Sequence, residues 1–280
     1  LLMMSVTLLI LALSRSGLDA GGGQVVWLWP AYLGAVVCGV ALARVERRAA
    51  EPMVPVDLLA DRMVAAIAGT GLLVGVGMFG AIAYVPLFVQ EGLGGSAVEA
   101  GRALTPLILG WVVTSMITGR AVLRIGYRPL VLSGLVCIAV AFGGLTQVGA
   151  ESSVWLLRAD LSLMGMGLGM TMLSLVLAMQ NVVARRHLGV ATSFGQFTRS
   201  IGGAVGVALL GAVIAAAVQD AGDPVAADMV HGIHRAFWLA AAVSVVAVVP
   251  ALRIPSGLPF ELVHPDHAVA PTGREIPNEV

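Results

Sequence analysis

Charged residues are scarce in this 280-residue chain, at 11% of the sequence, against roughly 25% in a typical soluble domain. Lysine is absent, so all sixteen basic residues are arginine. The two cysteines, Cys38 and Cys137, both lie in apolar runs, which argues against a disulfide framework. Hydrophobic residues make up 58% of the chain. Too few polar residues remain to cover a soluble core, and we exclude an ordinary soluble fold.

The apolar residues are grouped into long uncharged runs that short clusters of charge separate. A helix needs roughly 20 mainly apolar residues to cross the hydrocarbon core of a bilayer, with about 17 as the lower limit. Seven of the eight runs reach that limit, and we predict an all-α, polytopic transmembrane helical bundle of about eight spans. The runs are 1–14, 20–43, 63–90, 103–119, 129–150, 161–184, 200–219 and 236–252.

The two ends of the chain differ in character. The chain begins inside an apolar run, without a basic leader or a small-residue cleavage site, which is unlike a signal peptide. We therefore expect the first run to be part of a helix that starts earlier, in a longer protein of which this is the C-terminal part. The segment 253–280 is rich in proline, histidine and acids and has no periodic apolar pattern, so we predict a disordered tail.

Arginine is distributed unevenly among the connections between runs. Short loops that carry basic residues stay on the cytoplasmic side of a membrane. One alternating set of connections, 15–19, 91–102, 151–160 and 220–235, holds 4 arginines. The other set, 44–62, 120–128, 185–199 and the start of the tail, holds 11. We predict a multi-pass protein of the cell membrane with the second set and the C-terminus in the cytoplasm.

The predicted spans contain few polar groups. None has an acidic, basic or histidine side chain near its centre, although a proton relay through a membrane needs such a group. Asp160 is the nearest candidate, but we expect it to form an ion pair with Arg158 at the outer end of its helix. Gly202 and Gly206 stand four residues apart, which is typical of close helix packing. Glycines so placed are also compatible with helices that slide or bend.

Signals for catalysis or for bound groups are weak. No Gly-x-Ser-x-Gly motif occurs, and we predict that the protein is not an enzyme. The segment Gly75–Gly80 matches the dinucleotide fingerprint but lies within an apolar span with no strand before it, so we predict no cofactor. Asp228, His231 and His234 are spaced as metal ligands on one helical face, a pattern too weak to predict a metal. We expect no nucleic-acid partner.

Two segments carry a family resemblance. The first is Gly119-Arg-Ala-Val-Leu-Arg-Ile-Gly-Tyr-Arg128, which resembles the G-x-L-A-D-R-x-G-R-K loop of the major facilitator superfamily. The matching positions are Gly119, Arg124, Gly126 and Arg128, the loop-motif and gating residues that the resemblance implies. Leu123 stands where the family has an acid. Without that acid the arginines have no charged partner in the motif, and we expect them to act as topology anchors.

The second segment starts at Gln180 and continues through Arg185-Arg-His-Leu-Gly-Val-Ala-Thr-Ser193 to Arg199-Ser-Ile-Gly-Gly-Ala-Val-Gly-Val-Ala208. It is similar to a segment of the fourteen-helix drug:proton antiporter branch of the same superfamily. The resemblance implies that 1–62 contains two extra central helices and a cytoplasmic loop. It also implies that 63–252 is the C-terminal six-helix half of a major facilitator fold.

The resemblance implies a secondary active transporter that exports amphipathic drugs or small metabolites and is driven by proton entry. Its partners would be the lipid bilayer, a small amphipathic substrate, protons and a missing N-terminal half. The alternative is a non-transporting membrane scaffold or sensor. The resemblance places the transport pathway on the first, second, fourth and fifth helices of the half. The pathway residues chosen on them are Tyr84, Thr114, Met166, Met170, Gln180, Gly202 and Gly206.

Overall fold

The computed structural model describes residues 61–149, 152, 154–220, 226–254 and 256, and this part of the chain is helical without strands. The predicted all-α class is thereby confirmed. The first two predicted helices, and the tail beyond 256, lie outside the described residues. The helices are α1 Arg62–Leu87, α2 Ala97–Ala103, α3 Thr105–Ile125, α4 Tyr127–Leu145, α5 Val154–Val182, α6 Leu188–Asp220, α7 Ala226–Val246 and α8 Val248–Ala251.

Helix α1 begins at Asp61, whose side chain accepts a 2.7 Å hydrogen bond from the backbone N–H of Met63. Such a cap satisfies one of the free N–H groups at a helix start. The helix runs on to Pro86, which lacks the N–H that the ladder needs. A π-helical turn, Phe88–Gly92, follows at once and closes the first span.

The second span is divided into α2 and α3. Ser96 and Glu99 form a reciprocal capping box at the start of α2, with the Ser96 N–H donating to Glu99 at 2.8 Å. Pro106, in the first turn of α3, has no N–H to continue the ladder of α2. The chain therefore restarts its helix at Thr105 instead of running straight through from Ala97.

Six helical segments in the described part of the chain are long and apolar enough to cross a membrane. Helix α5 packs against both α3 and α4, α1 packs along α6, and α7 closes the bundle against α6, α4 and α1. Side chains on one face of α3, such as Val112 and Met116, are more than half exposed. This α3 face is apolar and has no partner among the described helices.

Three helices begin earlier than the apolar runs 161–184, 200–219 and 236–252 predict. Helix α5 begins at Val154, α6 at Leu188 and α7 at Ala226. The assignment of Arg199 to a cytoplasmic connection is therefore wrong, since this residue lies within α6. Backbone hydrogen bonding continues through charged residues as well as apolar ones, so a charge does not end a helix.

Candidate functional site

The loop motif forms a tight turn between α3 and α4. Gly126 is its single connecting residue, with φ +84° and ψ 177°, a conformation that is essentially restricted to glycine. Arg124 is exposed in the last turn of α3, and Arg128 is half-buried at the start of α4. Gly119 lies a turn and a half earlier on α3, with its nearest neighbour, Leu173 Cδ2, at ordinary contact distance.

Tyr127, directly after this turn, joins the two segments that carry the family resemblance. Its side chain is 1% exposed, and its hydroxyl oxygen accepts a hydrogen bond from Nδ2 of Asn181 near the end of α5. The turn at Gly126 directs the Tyr127 ring toward Asn181. Sequence reasoning missed this contact, because nothing in the pattern links residues that lie 54 positions apart.

A groove of about 630 Å³ lies between α3 and α5. Two predicted pathway residues, Thr114 and Met166, line the groove. Its rim carries Arg102 and Arg158, and the Arg158 guanidinium carbon lies 5.0 Å from the centre of the Trp155 ring. The groove therefore combines an apolar, adaptable interior with two cations at one end.

Beside this groove the backbones of α3 and α5 are in direct contact. A methyl group added to Gly169 would lie 2.7 Å from the Trp111 carbonyl oxygen, and one on Gly110 would lie 2.6 Å from that of Ser162. Both distances are too short for a real Cβ. Small residues of this kind supply much of the attraction between helices in lipid.

Three other predicted pathway residues lie together at the contact of α1 with α6. The Tyr84 hydroxyl donates to the Val207 carbonyl oxygen. Gly202 faces the backbone of Leu72, and Gly206 faces Cα of Val76. Together with Gly75 and Gly203, these two glycines form what we call the glycine seam.

Met170 and Gln180 stand apart from both groups. The Met170 sulfur lies 3.5 Å from the Ser133 hydroxyl of α4. Gln180 is half-buried two residues before the end of α5. The structure thus brings five of the seven predicted pathway residues into two groups, at the groove and at the α1–α6 contact, and leaves Met170 and Gln180 outside them.

Asp160 does not form the expected ion pair with Arg158. It lies in the second turn of α5 against Gly144 of α4, and its Oδ2 is buried without a hydrogen-bond partner in the described part of the protein. Arg158 turns to the Trp155 ring instead. The close approach of the two helices at Gly144 holds the carboxyl group between them, away from the arginine.

Arg199 is a cation inside a span. Its backbone carbonyl packs against Gly75, the fourteenth of the 26 residues of α1, so it lies at the level of the middle of that helix. The prediction that no charged residue lies near the centre of a span is therefore wrong. An arginine at the centre of a membrane helix costs roughly 2.5–3.5 kcal/mol on insertion scales, and such residues are commonly functional.

The pocket beside Arg199 lies between α1, α5 and α6. A guanidinium N–H of Arg199 donates to the Met172 sulfur at 2.7 Å, and another donates to the Gln196 side-chain oxygen. The pocket has a volume of only about 20 Å³, and Gly71 and Gly195 are among its lining residues. The sequence carries no signal for this pocket, because residues such as Met172 and Gln196 also occur at lipid-facing or loop positions.

The imidazole of His234 makes contacts within the helical bundle. One of its ring nitrogens lies 3.0 Å from the Val148 carbonyl oxygen, and the ring packs on Phe88. His231, three residues earlier, is exposed. No group of three potential metal ligands occurs among the residues that the structure describes.

Comparison with known proteins gives a family match over most of the chain. A family model described as the Major Facilitator Superfamily matches residues 2–207. "Multidrug transporter protein MdtP" of Bacillus subtilis is 36% identical over 215 residues, which cover 76% of this chain and 39% of the relative. "Puromycin resistance protein pur8" of Streptomyces alboniger is 33% identical over 227 residues, or 76% of this chain and 44% of the relative.

A third relative is the "Tetracycline resistance determinant" of Streptomyces rimosus. It is 29% identical over 206 residues, which cover 73% of this chain and 59% of the relative. The chain thus spans between about two fifths and three fifths of the length of these curated relatives.

Proposed function

This chain belongs to the major facilitator superfamily, and we propose that it forms part of a secondary active transporter that exports amphipathic drugs or small metabolites. The observation that carries the proposal is similarity over about three quarters of the chain to proteins named for multidrug transport and for puromycin resistance. A helical bundle with a groove of adaptable apolar side chains supports it.

The proposed transport pathway uses the two groups of residues that the structure brings together. Thr114 and Met166 in the α3–α5 groove supply contacts to the substrate. Gly202 and Gly206 of the glycine seam bring the α1 and α6 backbones into contact, and Tyr84 lies just beyond the seam. This contact holds α1 and α6 together, so that the bundle can rock as a rigid body against a second bundle in alternating access.

The rest of the proposed transporter lies outside this bundle. We propose that a further six-helix half completes the pathway, since the relatives are longer than this chain. In this arrangement Arg124 and Arg128 of the α3–α4 turn face the cytoplasm, as does the C-terminus. The arginine bias of alternate connections supports that orientation.

Proton entry is the proposed driving force, as in the antiporter branch that the sequence resembles. The test is uptake into everted membrane vesicles that carry the full-length product of the gene encoding this chain. A fluorescent cationic amphiphile should accumulate when a proton gradient is imposed, and a protonophore should abolish the accumulation. Accumulation that persists without a gradient would contradict proton coupling but would leave the export function intact. No accumulation of any amphiphile would contradict export and favour a scaffold.

A further inference from the structure

Arg199, the twelfth of the 33 residues of α6, lacks a negative partner within the described helices. The contacts of the Arg199 guanidinium are the Met172 sulfur and the Gln196 amide oxygen, both of which are neutral. Neutral groups satisfy the N–H donors of a guanidinium but leave its charge uncompensated. Arg199 is only half-buried among the described residues, but a charge inside a membrane span is ordinarily paired.

The nearest acid along α5 is too far away to supply the missing charge. Asp160 precedes Met172 by twelve residues on that helix, which places it about 18 Å farther along the axis. Asp61, Glu91 and Glu99 lie at the ends of the first and second spans, not at their middles. An anion that compensates Arg199 must therefore come from outside the described part of this chain.

The surroundings of Arg199 suit a small anionic group. Gly71 and Gly195 leave open space beside the guanidinium, and Thr192 adds a hydroxyl. A volume of about 20 Å³ holds one group the size of a water molecule, such as a carboxylate oxygen. A guanidinium fork binds carboxylates through strong, charge-assisted hydrogen bonds.

We propose that Arg199 binds the negatively charged group of an anionic or zwitterionic amphipathic substrate within the membrane. The assignment rests on the proposed export function and specifies the class of substrate. Met172 and Gln196 hold the guanidinium in place when no substrate is bound. The small pocket admits one oxygen of the charged group, and the rest of the substrate lies outside it.

The experiment uses everted vesicles carrying the full-length protein and two forms of one rhodamine dye, the methyl ester and the free acid. The two dyes share an aromatic body and a positive charge, and only the free acid carries a carboxylate. In the variant Arg199→Gln, we expect the KM for the free acid to rise about tenfold or more, from loss of a charge-assisted contact. Transport of the ester should stay unchanged. Arg199→Lys should restore part of the free-acid transport.

The matched control is Arg62→Gln, which removes an exposed arginine at the start of α1. This control should leave the transport of both dyes unchanged. Equal losses for ester and free acid in Arg199→Gln would overturn the proposal, because they indicate a structural role. No loss for either dye would also overturn it.

The wild-type protein provides a second test that does not depend on the folding of a variant. It should transport the free acid, and the free acid should compete with the ester. If the ester is transported while the free acid is neither transported nor able to compete, the Arg199 assignment is overturned and the export function stays intact. Transport of neither dye would overturn the export function, and the assignment with it.

Discussion

The hydroxyl of Tyr84 on α1 donates a 2.6 Å hydrogen bond to the main-chain carbonyl oxygen of Val207 on α6. The ring has room because Gly211, one turn farther along α6, carries no side chain. A Cβ at that position would lie 2.5 Å from the Tyr84 hydroxyl. The bond therefore ties the two helices together just beyond the glycine seam.

The substitution Tyr84→Phe removes this bond and keeps the ring. We expect a loss of about 1 kcal/mol in the free energy of unfolding, the usual contribution of one hydrogen bond between helices. Thermal unfolding of the full-length protein in detergent would measure it. Trp238→Phe, at a side chain 59% exposed on α7, is the control and should leave stability unchanged. Equal stability of Tyr84→Phe and wild type would show that the bond is dispensable.

The glycine seam should not tolerate a methyl group. In Gly202→Ala the new Cβ would clash with the Leu72 backbone, which cannot move aside as a side chain can. Overpacking of this kind typically costs about 1–3 kcal/mol, so the variant should unfold at a lower temperature and export more slowly. Gly189→Ala, in the same helix with open space around it, is the matched control. Normal stability and export in Gly202→Ala would contradict close packing at the seam.

The α3–α4 turn depends on the positive φ of Gly126. Alanine at that position is strained whatever the space around it, and we expect Gly126→Ala to lower the free energy of unfolding by about 1–3 kcal/mol. The other motif glycine provides the comparison, because Gly119 lies in regular helix with ordinary contacts. Gly119→Ala should be neutral or slightly stabilising. The two variants can be compared by thermal unfolding, and equal behaviour would contradict the conformational role of Gly126.

Filling the α3–α5 groove should hinder transport without unfolding the protein. Met166 is 45% exposed and lines the groove, so Met166→Trp would occupy much of the space that a substrate needs. We expect at least a several-fold loss of efflux in vesicles, with normal amounts of folded protein in the membrane. Met116→Trp, on the exposed face of α3 outside the groove, is the control. Equal efflux from both variants would exclude the groove from the pathway.

Hydropathy predicted the six described spans because the length of an apolar run is set by the thickness of the bilayer. It misplaced the starts of α5, α6 and α7, since a charged residue such as Arg199 can lie inside a helix when neighbouring groups satisfy its N–H donors. The break before α3 had readable signals in the Ser96–Glu99 pair and in Pro106. The contact of Tyr127 with Asn181 had none, because it depends on how α4 and α5 lie against each other.

The glycine seam also limits how this gene can vary. Every amino-acid replacement of a glycine adds a side chain. Any missense change at Gly202 or Gly206 therefore places side-chain atoms in the contact between α1 and α6. Positions on the exposed face of α3, such as Val112, can exchange one apolar residue for another at little cost. Sequence variation should therefore be tolerated on the exposed face of α3, while the α1–α6 contact stays fixed.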